Sequence, residues 1–230
     1  MNAEQKLIFK SFIPPAVLVC FLWIIKTAEI LIPADFGSFG VYPRTTRGLT
    51  GIITSPLIHG DFRHLISNSI PLLILGSMLI YFYKELAVKV FFWIYFLSGF
   101  WLWLGGRESY HIGASGLVYG LTAFLLISGL IRRHTGLMAL SLLVAFLYGS
   151  IIWGIFPIYR MMSWEGHLFG LAAGIIIAII YRKEGPQRKI YDYELEEEED
   201  EISSPGTNGP MNIQYVYKKE SPESESKNTQ

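Results

Sequence analysis

Apolar positions run in long uninterrupted blocks, and the blocks recur six times along the chain. They extend from Ser11 to Ile32, His64 to Tyr83, Val90 to Gly105, Ser115 to Ile131, Gly136 to Tyr159 and Gly166 to Tyr181. Each approaches the roughly 17 to 25 residues that a helix needs to cross a bilayer, so the pattern predicts an all-α membrane protein with six transmembrane helices. The sixth block is followed at once by Arg182 and spans only about 24 Å at ~1.5 Å per residue. A span that short is accommodated when the bundle encloses it or the bilayer thins. Residues 1–10 then form a short N-terminus, residues 11–183 the membrane domain, and residues 34–63 a long first loop.

Polar residues break the pattern at particular places. His64 and Asn68 open the second block, Ser115 opens the fourth and His167 opens the sixth. If the chain starts on the cytoplasmic side, every even-numbered helix begins on the opposite side, so these groups reach similar depth near one face. Strongly polar groups within spanning helices are costly and mark functional candidates.

Composition agrees with a membrane setting: 51% of residues are hydrophobic, and the mean hydropathy is +0.37, outside the usual range of soluble domains. Lys6, Lys10, Lys84, Lys89, Arg132, Arg133, Arg182 and Lys183 flank one side of the predicted bundle; Arg44, Arg47, Arg63, Arg107 and Arg160 flank the other. The excess favours both termini in the cytoplasm, in a plasma (inner) membrane, with the first block as an uncleaved anchor. Overall neutrality hides two opposite halves. Residues 184–230 hold twelve acidic and five basic side chains, including the run Glu194 to Glu201. Such a stretch buries too little apolar surface to offset chain entropy and is expected as an acidic disordered tail. Cys20 is the single cysteine, so no intrachain disulfide forms.

The serine lies in His111-Ile112-Gly113-Ala114-Ser115-Gly116, between glycines where a loop becomes a helix. Small neighbours leave room for another backbone, and the free N–H groups of a first helical turn suit a developing oxyanion. Gly170 and Gly174 share a helical face with His167, and Gly116 and Gly120 form a matching pair beside Ser115. Small residues four apart let helices approach closely in lipid, so packing through these glycines would bring the imidazole to the hydroxyl. Tyr119, four residues after Ser115, is placed to hold the ring. His64 and Asn68 share a face and carry ring and amide donors.

Each signal has a plainer reading. A membrane serine bonds the carbonyl one turn back, paired glycines are often only a seam, and a His–Asn pair is often an interhelical hydrogen bond. His111, four residues before Ser115, is a rival base placed in a loop where water would satisfy it. His59 and Arg63 are placed to pin the first loop, and His134 adjoins Arg132 and Arg133 in an expected solvated turn.

Jointly, His64-Leu65-Ile66-Ser67-Asn68, Gly113-Ala114-Ser115-Gly116 with Tyr119, and Gly166-His167-Leu168-Phe169-Gly170 extending to Gly174 resemble the rhomboid intramembrane serine proteases of the six-helix type. The resemblance covers about residues 10 to 182. It implies a Ser115 nucleophile and a His167 base without an acidic third member. It further implies oxyanion donors from His64, Asn68 and the Ser115 N–H, support of His167 by Tyr119, and close packing at Gly116, Gly170 and Gly174. It implies no metal or other cofactor, a lipid bilayer around the protein, membrane-anchored helices as substrates, and no nucleic-acid partner. Many members carry a Trp-Arg pair in the first loop and a glutamate early after helix two. Here residues 34–63 contain no tryptophan and Ile80 lies near the expected acid, which leaves the loop to be anchored in another way. Two other classes fit the same residues: a non-catalytic relative that binds membrane proteins, and a small transporter or bundle whose His64, His111 and His167 ligate a metal or haem.

Overall fold

The computed structural model describes residues 2–32, 34–158 and 162–187. Among them the chain forms seven α-helices and no strand: α1 (Ala3–Leu31), α2 (Thr46–Thr54), α3 (Phe62–Tyr83), α4 (Glu85–Gly105), α5 (Ser115–Arg132), α6 (Thr135–Tyr148) and α7 (Trp164–Ile180). By length and composition α1, α3, α4 and α5 are able to cross a membrane, while α6 and α7 are shorter apolar helices.

Local chemistry sets the helix starts. Asn2 and Gln5 form a reciprocal capping box that begins α1 well before the first apolar block. Asp61 accepts from the His64 N–H at 2.8 Å to start α3, and Ser163 accepts from the Gly166 N–H at 3.3 Å to start α7. His134 also serves as a cap: it is half-exposed beside exposed Arg133, and its Nδ1 accepts from the Leu137 N–H at 3.3 Å to start α6. Pro14 and Pro15 lie within α1, where Pro15 packs against Gly76 of α3.

Two elements differ from the apolar pattern. The predicted first loop contains α2, whose inward Gly48, Gly51 and Ile52 make a stripe too short to register as a span. The fifth block was expected to stay helical to Tyr159, but α6 ends at Tyr148 and tightens into a 3-10 segment, Gly149–Ile155. Gly149 and Gly154 weaken an α-helix there and Pro157 cannot donate the N–H that would continue it. Apolarity alone does not distinguish the two helix types. Beyond α7, Glu184 pairs with Lys89 at 3.3 Å, and buried Arg132 donates to the carbonyls of Tyr181 at 2.6 Å and Pro186 at 3.1 Å. The rest of the predicted tail, from residue 188, lies outside the described residues.

The outer surface is apolar in the way a lipid-facing surface must be. Phe146 is 86% exposed, Leu31 77% and Leu142 71%, a distribution that a water-soluble monomer would not carry. The core gathers Leu65, Leu72, Leu75 and Leu79 of α3, Val90 and Ile94 of α4, and Leu121, Phe124 and Leu125 of α5.

The tightest packing joins α5 to α7. A Cβ at Gly170 would strike the Gly116 carbonyl and one at Gly174 the Gly120 carbonyl, while a Cβ at Gly116 would come within 3.1 Å of the Gly166 carbonyl. Backbone therefore lies against backbone along this seam. Gly170→Ala should cost about 1–3 kcal/mol through overpacking, read as a lower denaturation temperature in detergent. Leu142→Ala, on the lipid-facing surface of α6, should leave that temperature nearly unchanged.

Candidate active site

Ser115 is the first residue of α5, and the preceding Ala114 offers no side-chain cap. The opening N–H groups of the helix thus receive no side-chain cap from the residue before them. Ahead of it, Gly113 has φ +106°, a conformation that favours glycine, and a Cβ there would lie 2.5 Å from the His64 ring. Two constraints demand glycine at one position: the turn into α5 and the imidazole packed against it.

His167, in the first turns of α7, reaches this turn. Its Nε2 lies 2.9 Å from the Ser115 Oγ, and its Nδ1 lies 2.9 Å from the Gly154 carbonyl. A carbonyl only accepts, so Nδ1 carries the proton and Nε2 offers its lone pair to the serine hydroxyl. The Tyr119 ring stacks on the imidazole with centroids 4.2 Å apart and planes 7° from parallel. A Cβ on Gly154 would collide with the Tyr119 hydroxyl and sit 3.1 Å from His167 Nδ1. The 3-10 segment therefore needs glycine where its carbonyl meets the ring.

His64 and Asn68 are on α3, whose first turn faces the same end. Asn68 is buried, and its Nδ2 donates to the His64 carbonyl at 2.8 Å. His59 stands edge-on to His64, with ring centroids 5.1 Å apart, and its Nε2 lies 3.4 Å from the Ala114 N–H. The Arg63 side chain is exposed and, among the described residues, makes no hydrogen bond or ion pair that would pin the loop. Lys26 does the holding instead: its Nζ donates to the His59 and Gly60 carbonyls at 2.9 Å each and pairs with Glu29 at 2.8 Å.

His111 is not the water-satisfied loop residue that its position suggested. It is 2% exposed, because its backbone bridges Val41 and so carries the ring inward. Its Nε2 lies 3.0 Å from the Arg107 carbonyl and its Nδ1 2.7 Å from Ser163 Oγ. The first contact requires N–H on Nε2, so Nδ1 accepts from Ser163, whose oxygen in turn accepts from Gly166 N–H. This relay ties the loop before Ser115 to the turn before His167. Beside it, buried Glu165 pairs with Arg107 at 3.6 Å, and Arg107 donates to the Met162 carbonyl at 2.8 Å.

A cleft bordered by Ser55, His111, Gly113, Ser115 and Ser163 provides about 30 Å³ of space for solvent. That admits about two waters at the ~10–15 Å³ each requires. Among the described residues, no group of three or more His, Cys, Asp or Glu side chains is arranged to hold a metal ion.

The Rhomboid domain matches residues 46–184. Uncharacterized proteins of Mycobacterium tuberculosis and Mycobacterium bovis are each 36% identical to this chain over 184 residues, 74% of this chain and 74% of theirs. One of Mycobacterium leprae is 32% identical over 180 residues, 74% of this chain and 70% of that protein. This chain belongs to the rhomboid family. As a rhomboid protein with four span-length apolar helices, it is an integral membrane protein. Its rhomboid site includes groups that sequence reading had passed over, namely Gly154, Ser163, Glu165 and Lys26. Glu165 and Lys26 left a trace, as charges near or within apolar blocks. Gly154 left none, since it acts through its carbonyl, whereas Ser163, a serine just ahead of an apolar block, carries the ordinary mark of a helix cap.

Burial pushes the His59 imidazole down to about 4, with adjacent His64 as the next cause. Burial lowers His111 as well, against the opposing pull of the Arg107 carbonyl. Both are held neutral by folding, so their contribution is intact above the unfolded value of about 6.5 and is lost as pH falls. For His59 the loss extends from about 6.5 to about 4. Denaturation temperature in detergent should therefore drop across that window, and His59→Gln should flatten the drop. An unchanged pH profile in the variant would reject the assignment.

Proposed function

We propose that this rhomboid protein is a serine endopeptidase that cuts membrane-anchored proteins within or near their transmembrane helices. The observation that carries the reading is the Ser115 Oγ to His167 Nε2 contact of 2.9 Å, made with the other ring nitrogen engaged by a carbonyl. That tautomer is the one a general base requires. Ser115 attacks the scissile carbonyl while its proton passes to His167 Nε2. The oxyanion is received by the Ser115 N–H with His64 and Asn68, and Tyr119 keeps the imidazole in plane with its target. Protonated His167 then donates to the leaving amine, and water admitted through the cleft releases the acyl group by the same steps in reverse.

The Gly154 carbonyl takes the orienting place that a carboxylate holds in a three-member site. It fixes the tautomer without a charge to stabilise imidazolium, a choice suited to a site within lipid, where a third ionised group is costly. In this reading α6 and α7 complete a bundle of six spans, both termini are cytoplasmic, and the cleft opens to the outer face of an inner (plasma) membrane. Small residues near a substrate helix end favour cleavage by letting the strand unwind into the site.

Purified protein should label at Ser115 with a fluorophosphonate probe. Ser115→Ala should abolish labelling and His167→Ala should slow it by at least about 100-fold, while His111→Ala retains a reactive serine. Tyr119→Ala should slow labelling roughly tenfold through loss of the stack. Full labelling of Ser115→Ala would overturn the nucleophile. Absence of labelling in the unmodified protein would favour a non-catalytic binding role.

A further inference from the structure

On the side of the bundle formed by α1, α3 and α4 lies a second and larger cavity, apart from the serine site. It offers about 420 Å³ of space. Its floor is the buried core, Leu72 and Leu79 of α3 and Leu121 of α5. Its rims are open to the surroundings: Val17 on α1 is 63% exposed and Val88 on α4 is 61% exposed. The groove exists because Gly76 lets Pro15 lie directly on α3 while α4 diverges from α3 at Lys84, whose φ of 45° breaks the helix between them. A groove with an apolar floor in a bilayer does not stay empty, since lipid chains are the solvent there.

The charge at one end says which lipid. Helix α1 runs antiparallel to α3, with Trp23 bonded to Ser69 and Pro15 against Gly76. The N-terminal end of α1 therefore meets the α3–α4 junction. Along α3 the groove-lining positions include Leu72, Gly76, Leu79 and Ile80; Lys84 follows the helix, its N–H bonded to the Ile80 carbonyl at 3.1 Å, and leads into groove-lining Ala87 and Val88 of α4. Along α1 they include Pro14, Leu18 and Phe21, and the preceding step of four is Lys10. Both lysines are exposed and, among the described residues, neither has an ion-pair partner, whereas Lys89 nearby is engaged by Glu184. One cation of α1 and one of the α3–α4 junction thus lie about a turn beyond the groove-lining residues, at the same end of the slot.

We propose that this groove binds an anionic glycerophospholipid, one acyl chain lying between α1 and α4 over the α3 floor and the phosphate headgroup held by Lys10 and Lys84. The lipid fastens α1, whose other faces are largely exposed, to the rest of the bundle. Nothing in this assignment depends on the chemistry of Ser115.

The full chain, purified in detergent and mixed with equal amounts of phosphatidylglycerol and phosphatidylcholine of matched chains, is examined by native mass spectrometry. Wild-type protein should retain phosphatidylglycerol in preference. Lys10→Gln and Lys84→Gln should each weaken that retention roughly fivefold, the worth of one basic side chain at an anionic surface. Val17→Trp with Val88→Trp, both at exposed positions and so compatible with folding, should fill the slot and remove the adduct while fluorophosphonate labelling continues as in the wild type. Equal retention of the two lipids, or retention unaffected by the lysine changes, overturns the headgroup assignment. Adducts that survive the paired tryptophans place the lipid elsewhere and overturn the groove. A dimer that carries no lipid assigns the face to a second copy of the chain and also overturns it.

Discussion

The close approach of α5 and α7 is the constraint on which the rest depends. At Gly170 and Gly174 of α7 the carbonyl oxygens of Gly116 and Gly120 of α5 occupy the volume that side chains would otherwise take. In lipid there is no hydrophobic drive to push two helices together, so contact must be gained by van der Waals fit. The small residues allow that fit, and the hydrogen bond from Ser115 to His167 is its consequence. Hydrogen bonds weaken steeply with distance and angle. A side chain inserted at the seam would separate the two groups even if every polar residue of the site were kept.

Around the seam, the end of the bundle that carries the site is fastened by polar contacts within the chain. Lys26 clamps the turn ahead of α3, Arg44 donates to the Gly106 carbonyl at 2.8 Å, and Trp103 donates to the Thr45 carbonyl at 2.8 Å. The His111–Ser163–Gly166 relay and the Arg107–Glu165 pair tie the loop before α5 to the start of α7. These contacts satisfy irregular backbone that could not otherwise stand at membrane depth. They also answer how the first loop is held without a Trp-Arg pair: the aromatic and the cations come from α1, α4 and the loops beside them.

The early end of α6 belongs to the same design. By giving way to a 3-10 segment at Gly149–Ile155, the chain turns a carbonyl at Gly154 toward His167. A continuous α-helix would have spent that carbonyl on an intrahelical bond four residues on. The irregularity and the ring orientation are two views of one feature.

The residues of the sequence determined which segments are apolar, which polar groups interrupt them, and that the glycine pairs and the His64, Ser115 and His167 positions open alternate segments. Period and spacing are local properties, and they carry directly into helices and faces. What only the tertiary structure decided were contacts with no local signature. These are the Gly154 carbonyl on Nδ1, the inward rotation of His111 by its bridge to Val41, the bond between Ser163 and His111, and the hold of Lys26 on the His59 and Gly60 carbonyls. Each joins residues thirteen or more positions apart, or acts through a backbone atom that every residue shares, so side-chain identity along the chain leaves no mark of it. The extent of α6 was hidden for a related reason: the membrane rewards apolarity in α and 3-10 turns alike, and only the packing at its end selects between them.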